Sequence, residues 1–354
     1  MRIKKVLGTL GLAAALTVSA SAADKVVHWK LAMTWGPTLK PFVNAPAEVA
    51  RIVKELSGGK FTIRIDASNK HKSPFGVLDM VKLGQYDMAH SASYYWKGKD
   101  LDTLPLTTMP FGMTTPEQYA WFYHGGGMKL MQEVYAKHGV YSFPGGNTGA
   151  QMGGWFRKEI KSPADLKGLK MRIPGFAGEI MSALGCTVVN IAPGELYTSL
   201  ERGTIDALEW VGPGMDIKMG FHKIAPYYYT GWHEPATELQ FLVNKKKFDK
   251  LPKKYQEMLT VAMKLAAYDM YIENYDMSAR AWAKMKTEYP NIKVKTFPKS
   301  VMDALRKTND ELLAKYKAKD PMFAKIIDSQ DAYMKKARAW TKISDYLYLK
   351  STFE

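Results

Sequence analysis

In FTIRID (61–66) apolar and polar residues alternate: Phe61, Ile63 and Ile65 take one face, Thr62 and Arg64 the other, which predicts a half-buried strand. Before it, VVHWKLAM (26–33) reads as a strand. Val43, Ala47, Ala50, Ile52, Val53 and Leu56 then recur with a helical period over 43–56, and Gly58-Gly59 ends that helix. A helix over 75–84 and a strand over 86–91 follow. Strand–helix–strand order predicts parallel pairing within an α/β lobe. The second half repeats the logic. Segments 139–144 and 152–158 are extended, and SPADLKG (162–168) is a short capped turn. LKMRI (169–173) is a strand, FAGEIMSALG a helix closed by Gly185, TVVNI a strand, PGELYTSLERG a helix and IDALEWVG (205–212) a strand. Beyond these, QFLVN is a strand, 252–288 is mostly helical up to Pro290, and 299–346 is helical and amphipathic.

Several strands end in Gly or Pro where polar residues gather, as in RIPG, EWVGPG and FPGGNTG. Ligands of open α/β sheets sit beyond the carboxyl ends of strands, so these segments predict a shared cleft. The 354 residues suffice for two lobes. Residues 1–22 read as a secretory signal peptide: Arg2, Lys4 and Lys5, then VLGTLGLAAALTV, then Ala20-Ser21-Ala22. Cys186 is the single cysteine, which excludes an intramolecular disulfide, and it lies far from the signal segment, so no lipid anchor is expected there. A freely diffusing periplasmic protein is the expectation. The formal charge of +16 falls by three with the signal segment. The remaining lysines are scattered among acids, as in NKKKFDKLPKK, which reads as solvated surface rather than a nucleic-acid face.

Candidate chemistry collects in the second half. Leu169, Met171 and Ile173 alternate toward a core, so Lys170 and Arg172 face the other way. A guanidinium at a strand mouth can grip a carboxylate with two parallel hydrogen bonds, although a surface arginine gives the same pattern. Glu209 lies in an apolar run, and Glu234 lies among aromatic residues in YTGWHEPATEL. With the amide of Gln151 they form an oxygen set suited to a hard cation; each could also simply face solvent. Asn147 sits in the glycine-rich turn PGGNTG. Tyr94, Tyr95 and Trp96 could wall a pocket or fill a core. No HExxH, CxxC, EF-hand loop, GxSxG or P-loop is present, which weakens zinc, nucleophilic and nucleotide readings. Of the seven histidines only His233 falls in this constellation, where it reads as wall.

Four stretches, FPGGNTGAQMGGWFRKEI, SPADLKGLKMRIPGFAGEIMSALG, GELYTSLERGTIDALEWVGP and KIAPYYYTGWHE, resemble the DctP-type solute receptors of TRAP transporters. Within that family they are most similar to the group that binds α-keto acids or lactate. The resemblance runs over nearly all of the chain after the signal segment. It implies an α/β, two-lobed, periplasmic-binding-protein-like (Venus-flytrap) fold with a long interlobe helix and a helical C-terminal tail. Lobe I is expected at 23–145 plus about 236–270, lobe II at 146–235 plus about 271–320, and the tail at 321–354. The implied function is capture, without catalysis, of a small 2-oxo or 2-hydroxy monocarboxylate of the pyruvate, 2-oxobutyrate or lactate type. The acid is held together with Na⁺ or Ca²⁺ and delivered to membrane permease subunits.

Residue by residue, the resemblance implies that Arg172 pairs with the substrate carboxylate and that Asn147 offers a substrate-contacting amide. Gln151, Glu209, the Trp210 carbonyl and Glu234 hold the cation, which joins them to the substrate; Gln151 and Trp210 also meet the substrate. Tyr94, Tyr95, Trp96 and Phe176 complete its walls. Glu209 is thus expected to find its partner in a cation rather than a side chain. Two glutamates and a monocarboxylate against one guanidinium leave two negative charges, a deficit that Na⁺ halves and Ca²⁺ cancels. His233 departs from the family, where keto-acid relatives carry Trp. A receptor for a dicarboxylate or a sugar acid is the alternative, favoured by a second cationic side chain such as Lys170; an exported enzyme acting on a small acid is a third reading. The Met, Tyr and Trp residues of the tail suit packing against a second copy in a homodimer or on the chain's own lobes.

Overall fold

Two mixed sheets organise the chain in a computed structural model that describes residues 25–353; the signal-peptide reading at 1–22 lies outside the described residues. The first sheet has the order β2-β1-β3-β10-β4. Strand β1 (Val27–Met33) lies parallel to β2 (Phe61–Asp66), with Val27 opposite Phe61, and parallel to β3 (Met88–Ser91). Helix Asn44–Leu56 makes the crossover and buries Val49, Ile52 and Val53. The alternation of β2 appears as expected, with Phe61 and Ile63 buried and Arg64 exposed.

The chain leaves this sheet along β4 (Val140–Asn147) and returns along β10 (Glu238–Asn244), which pairs antiparallel with both β3 and β4. Between departure and return it builds the second sheet, of order β11-β9-β5-β8-β6-β7. Its strands are β5 (Gly154–Phe156), β6 (Lys170–Arg172), β7 (Thr187–Val189), β8 (Ala207–Leu208) and β9 (Tyr227–Tyr229), with β11 (Lys293–Lys295) added later at the edge. Segments 148–153 and 230–237 are therefore the two extended crossings between the sheets, and the helix that leads from β10 to β11 makes a third.

A 36-residue helix, Lys253–Glu288, runs along both lobes. At 1.5 Å per residue it is about 54 Å long. Tyr255, Leu259, Met263 and Met270 bury against the first lobe and Met285 against the second. The helix closes onto β4 at Gly146, where a side chain would place a Cβ 2.0 Å from the Met270 sulfur. After β11, helix Lys299–Lys319 packs Tyr316 on Phe176 of the second lobe. Helix Pro321–Thr341 lies on the first lobe, where Ile326 enters the core with Trp121 and Gln330 Nε2 donates to the Pro105 carbonyl at 2.8 Å.

Several expectations are corrected in detail. The run 205–212 is a strand only at Ala207–Leu208, because the chain leaves the sheet after Glu209 and feeds helix Pro213–Met219. The 299–346 tail is broken at Asp320, whose carboxylate caps the next helix by accepting from the Met322 and Phe323 amides. Helices Thr115–His124 and Gly127–Ala136 are additions to the elements read from the sequence. So is β9, where three consecutive tyrosines hide any alternation. The tail's first turns pack on the chain's own lobes, whereas Trp340, Ile343, Tyr346, Leu347, Tyr348, Leu349 and Phe353 are exposed.

Candidate functional site

Strands β6 and β8 end side by side, which places Arg172 and Glu209 together. Met171 and Ile173 fill the core while Lys170 is exposed. Arg172 is not a surface residue: it is 1% exposed. The ladder runs past β8, because the Glu209 amide donates to the Arg172 carbonyl at 3.0 Å. In return Arg172 Nη1 donates to the Glu209 carbonyl at 2.6 Å and to Glu209 Oε2 at 3.2 Å. The expectation that Glu209 lacks a side-chain partner is therefore corrected for one oxygen; its Oε1 is buried and unpartnered. With Nη1 turned to Glu209, Arg172 keeps Nε and Nη2 free. These two N–H groups form one edge of the guanidinium, the edge that binds a carboxylate bidentately. The Trp210 ring stacks against the guanidinium at 5.5 Å.

The two crossings bring the other partners. Gln151 on the outward crossing donates its backbone N–H to the Glu234 carbonyl on the return crossing at 2.9 Å. Gly231 permits this approach: a Cβ there would lie 1.9 Å from the Gln151 carbonyl oxygen. Gln151 Nε2 donates to Thr148 Oγ1 at 2.9 Å, and Thr237 Oγ1 donates to Glu234 Oε2 at 2.5 Å. Each contact orients a side chain and leaves one oxygen over, so Gln151 Oε1 and Glu234 Oε1 are buried without a partner. Ligand atoms of Glu209, His233 and Glu234 all lie within 4.8 Å of one another. His233 is fully buried, with Nε2 3.6 Å from Glu209 Oε1.

Burial dominates the electrostatics. It pushes Glu209 up to about 8 against the pull of Arg172, and Glu234 up to about 7 with help from Glu209. It lowers His233 to about 4, which keeps the ring neutral. Burial also opposes charge on Arg172, yet Tyr95, Glu209, Tyr94 and Glu234 together hold its pKa above the usual value. Three unpartnered oxygens on neighbouring side chains are a costly arrangement for a protein to keep empty. Their chemistry fits a hard cation.

Tyr94 and Tyr95 belong to this chamber; both feel the charges of Arg172, Glu209 and Glu234. They come from the first lobe, and Tyr94 lies against Gly175 of the second, so the lobes meet over the site. Beside them Lys97 donates to the Gly175 carbonyl at 3.2 Å and pairs with Glu179 across the same seam. Three further expected contacts have partners within the protein. Trp96 turns into the first-lobe core, where its Nε1 donates to Tyr135 Oη at 3.0 Å. Phe176 packs its ring on Tyr316 and Phe323 of the tail helices. Asn147 is consumed by the protein: its Oδ1 accepts from Thr115 Oγ1 and the Gly149 amide, and its Nδ2 donates to Gln118 Oε1 and Glu238 Oε2. His233, a wall residue by sequence, stands among the carboxylates instead; its place directly before Glu234 in WHEP is the available signal. A cavity of about 460 Å³, open to the outside, is lined by Gln151, Glu234, Arg306 and Arg338 and stops short of the buried Oε1 atoms of Gln151 and Glu234.

Residues 31–320 match the family of bacterial extracellular solute-binding proteins, family 7 (DctP). A monocarboxylate 2-oxoacid-binding periplasmic protein of Nostoc sp. is 38% identical over 360 residues, covering 98% of either chain. A TRAP periplasmic solute-binding protein from Colwellia psychrerythraea, crystallised with bound calcium and pyruvate, is 61% identical; it superposes with a TM-score of 0.91 over 92% of this chain and 100% of its own. Another from Pseudoalteromonas atlantica, with bound sodium and pyruvate, gives the same identity and TM-score over 92% of this chain and 99% of its own. The chain, with its two lobes, long helix and buried interlobe cluster of polar side chains, belongs to the family 7 extracellular solute-binding proteins, the receptors of TRAP transporters.

Proposed function

We propose that the chain captures a short 2-oxo or 2-hydroxy monocarboxylate, pyruvate being the type, together with Na⁺ or Ca²⁺, and passes it to TRAP permease subunits in the membrane. The observation that carries this reading is the pairing of a free guanidinium edge on Arg172 with three unpartnered oxygens, those of Gln151, Glu209 and Glu234, in one sealed chamber. The first group receives a carboxylate and the second a cation. Relatives crystallised with pyruvate and either cation support the assignment.

Gln151 Oε1, Glu209 Oε1, the Trp210 carbonyl and Glu234 Oε1 would hold the cation, which neutralises the carboxylates and chelates the acid. Arg172 fixes the acid's carboxylate. Tyr94 and Tyr95 close over it from the first lobe and exclude water. Because both lobes contribute, the full set of contacts exists only when they meet, so the ligand shifts the opening equilibrium toward the closed form. Lobe I as 23–145 with about 236–270, and lobe II as 146–235 with about 271–320, are the bodies that move. The chain carries out no chemical step. Lys170 is exposed and supplies no second cation, so the chamber favours a monocarboxylate over a dicarboxylate.

The protein works in the periplasm after removal of residues 1–22; no described helix is long and apolar enough to cross a membrane. The exposed apolar residues from Trp340 to Phe353 support a homodimer. Light scattering of the full chain and of a chain ending at Ala339 tests it: the full chain is expected to be a dimer and the truncated one a monomer.

Calorimetry with pyruvate, 2-oxobutyrate, lactate and succinate, in Na⁺-free buffer with and without Ca²⁺, tests the central reading. Pyruvate is expected to bind with micromolar affinity, about −8 kcal/mol, only when a cation is present. Cation-independent binding, or a preference for succinate, would overturn it.

A further inference from the structure

Counting the unmet hydrogen-bonding atoms of the chamber shows more than the cation and the carboxylate require. The acceptors are Gln151 Oε1, Glu209 Oε1 and Glu234 Oε1, and a cation satisfies all three. The donors are Arg172 Nε, Arg172 Nη2 and Trp210 Nε1, to which His233 adds its ring. Arg172 uses its two N–H groups on the two oxygens of one carboxylate. That leaves the indole and the imidazole.

His233 is the stronger anomaly. It is 0% exposed, and neither Nδ1 nor Nε2 has a hydrogen-bond partner among the described residues. A neutral imidazole carries one donor and one acceptor, and leaving both unmet in a dry interior is expensive. The ring lies beside Trp232, with centroids 5.4 Å apart, and its Nε2 is 3.6 Å from Glu209 Oε1, too long for a hydrogen bond. His90 shows what a structural histidine looks like in this protein: equally buried, it accepts from Trp35 Nε1 and binds the Gly145 carbonyl, each at 2.8 Å.

We propose that His233 is a substrate-contacting, specificity-determining residue whose ring N–H donates to the oxygen on carbon 2 of the bound acid. The placement follows from its neighbours. Arg172 takes the carboxylate end. Ligand atoms of Glu209 and Glu234 lie within 4.8 Å of one on the His233 ring, so the ring stands beside the place where the acid's chelated 2-oxygen must lie. A neutral donor suits this position, because it recognises the oxygen without adding positive charge next to the cation. The inference rests on the receptor reading above, and deepens it by naming the group that tells a 2-oxo acid from a plain carboxylic acid.

The test uses the full chain with Ca²⁺ and three titrations by calorimetry: Ca²⁺ alone, pyruvate, and propionate in competition with pyruvate. His233→Phe is expected to weaken pyruvate by about 10- to 100-fold, to leave Ca²⁺ alone within about twofold, and to shrink the preference for pyruvate over propionate. His233→Asn keeps an N–H donor and is expected to recover most of the loss. Thermal melts of the ligand-free variants verify that both fold. Unchanged pyruvate affinity in His233→Phe would overturn the proposal. So would an equal loss for Ca²⁺ alone, which makes the ring a cation ligand, or an Asn variant no better than Phe, which makes it a filler. If 2-oxobutyrate or lactate binds where pyruvate does not, it replaces pyruvate in these titrations; if the wild-type chain takes none of the three with Ca²⁺ or Na⁺, the receptor reading falls instead, the same variants are titrated with succinate, and loss of succinate binding keeps His233 as its contact, while no succinate binding overturns both.

Discussion

Asp216 and Glu209 are buried carboxylates seven positions apart, each 1% exposed, and they do opposite things. Asp216 accepts from Trp155 Nε1, Tyr228 Oη and the amides of Val211 and Gly212, all between 2.9 and 3.1 Å. It is finished, and it pins the turn that carries Trp210. Glu209 and Glu234 each keep an oxygen with nothing to meet it. Burial raises the pKa of all three, so neither burial nor the shift separates structure from function here. The hydrogen-bond account does. His90 and His233 repeat the contrast in another side chain.

The largest effect that can break this comparison is on binding. Arg172→Ala should lower pyruvate affinity by at least about 30-fold, since truncating one side of a buried charged pair costs about 2–5 kcal/mol. Calorimetry reads it, and unaltered binding would remove Arg172 from the site. Asp216→Ala should act on stability instead. It strands four donors and is expected to cost about 3 kcal/mol or more in urea unfolding of the ligand-free protein.

The finished histidine predicts a pH dependence. Burial lowers His90 to about 4 in the folded chain, below its ordinary 6.5. The unfolded chain therefore binds more protons between those values, and stability falls as pH drops from 6.5 toward 4. At pH 5 the loss is about 2 kcal/mol relative to pH 7. His90→Asn should lack this component; an identical drop in both proteins would refute the assignment.

Glu234→Gln sharpens the contrast from the other side. It should weaken Ca²⁺ at least about tenfold yet leave the ligand-free melting temperature unchanged or higher, because it removes an uncompensated buried charge. A large destabilisation would mean that Glu234 is structural after all. The smallest effect is expected at the seam. Lys97 and Glu179 are each about a third exposed, so Lys97→Ala should weaken ligand affinity by less than about fivefold.

The start of the fold was legible because β2 alternates between buried and open positions. Phe61, Ile63 and Ile65 alternate, and helix 43–56 repeats at about 3.6, so the first β-α-β unit could be read directly. Helices Thr115–His124 and Gly127–Ala136 escaped because aromatic residues and HGGG blur their period, although Thr114 and Glu117 form a capping box that could have marked the start. In the site, Arg172, Glu209, Gln151 and Glu234 come together because two strand ends and two crossings meet, a convergence that no local pattern carries. Trp96 points away because one residue along a short 3-10 turn sends the next ring to the opposite side from Tyr94 and Tyr95. For Asn147 the sequence shows the amide but not the four groups that use it up. His233 is passed over for the same reason in reverse: only coordinates reveal that its nitrogens have nothing to hold.

The roof over the chamber has a kinetic meaning. Tyr94 rests on Gly175, and Arg172, Glu209, His233 and Glu234 are sealed from solvent, so an acid captured there has no exit while the lobes touch. Its residence time is then the lifetime of the shut clamshell, not a property of the grip alone. A membrane partner that pries the halves apart could set the pace of delivery without touching a single group that holds the cargo.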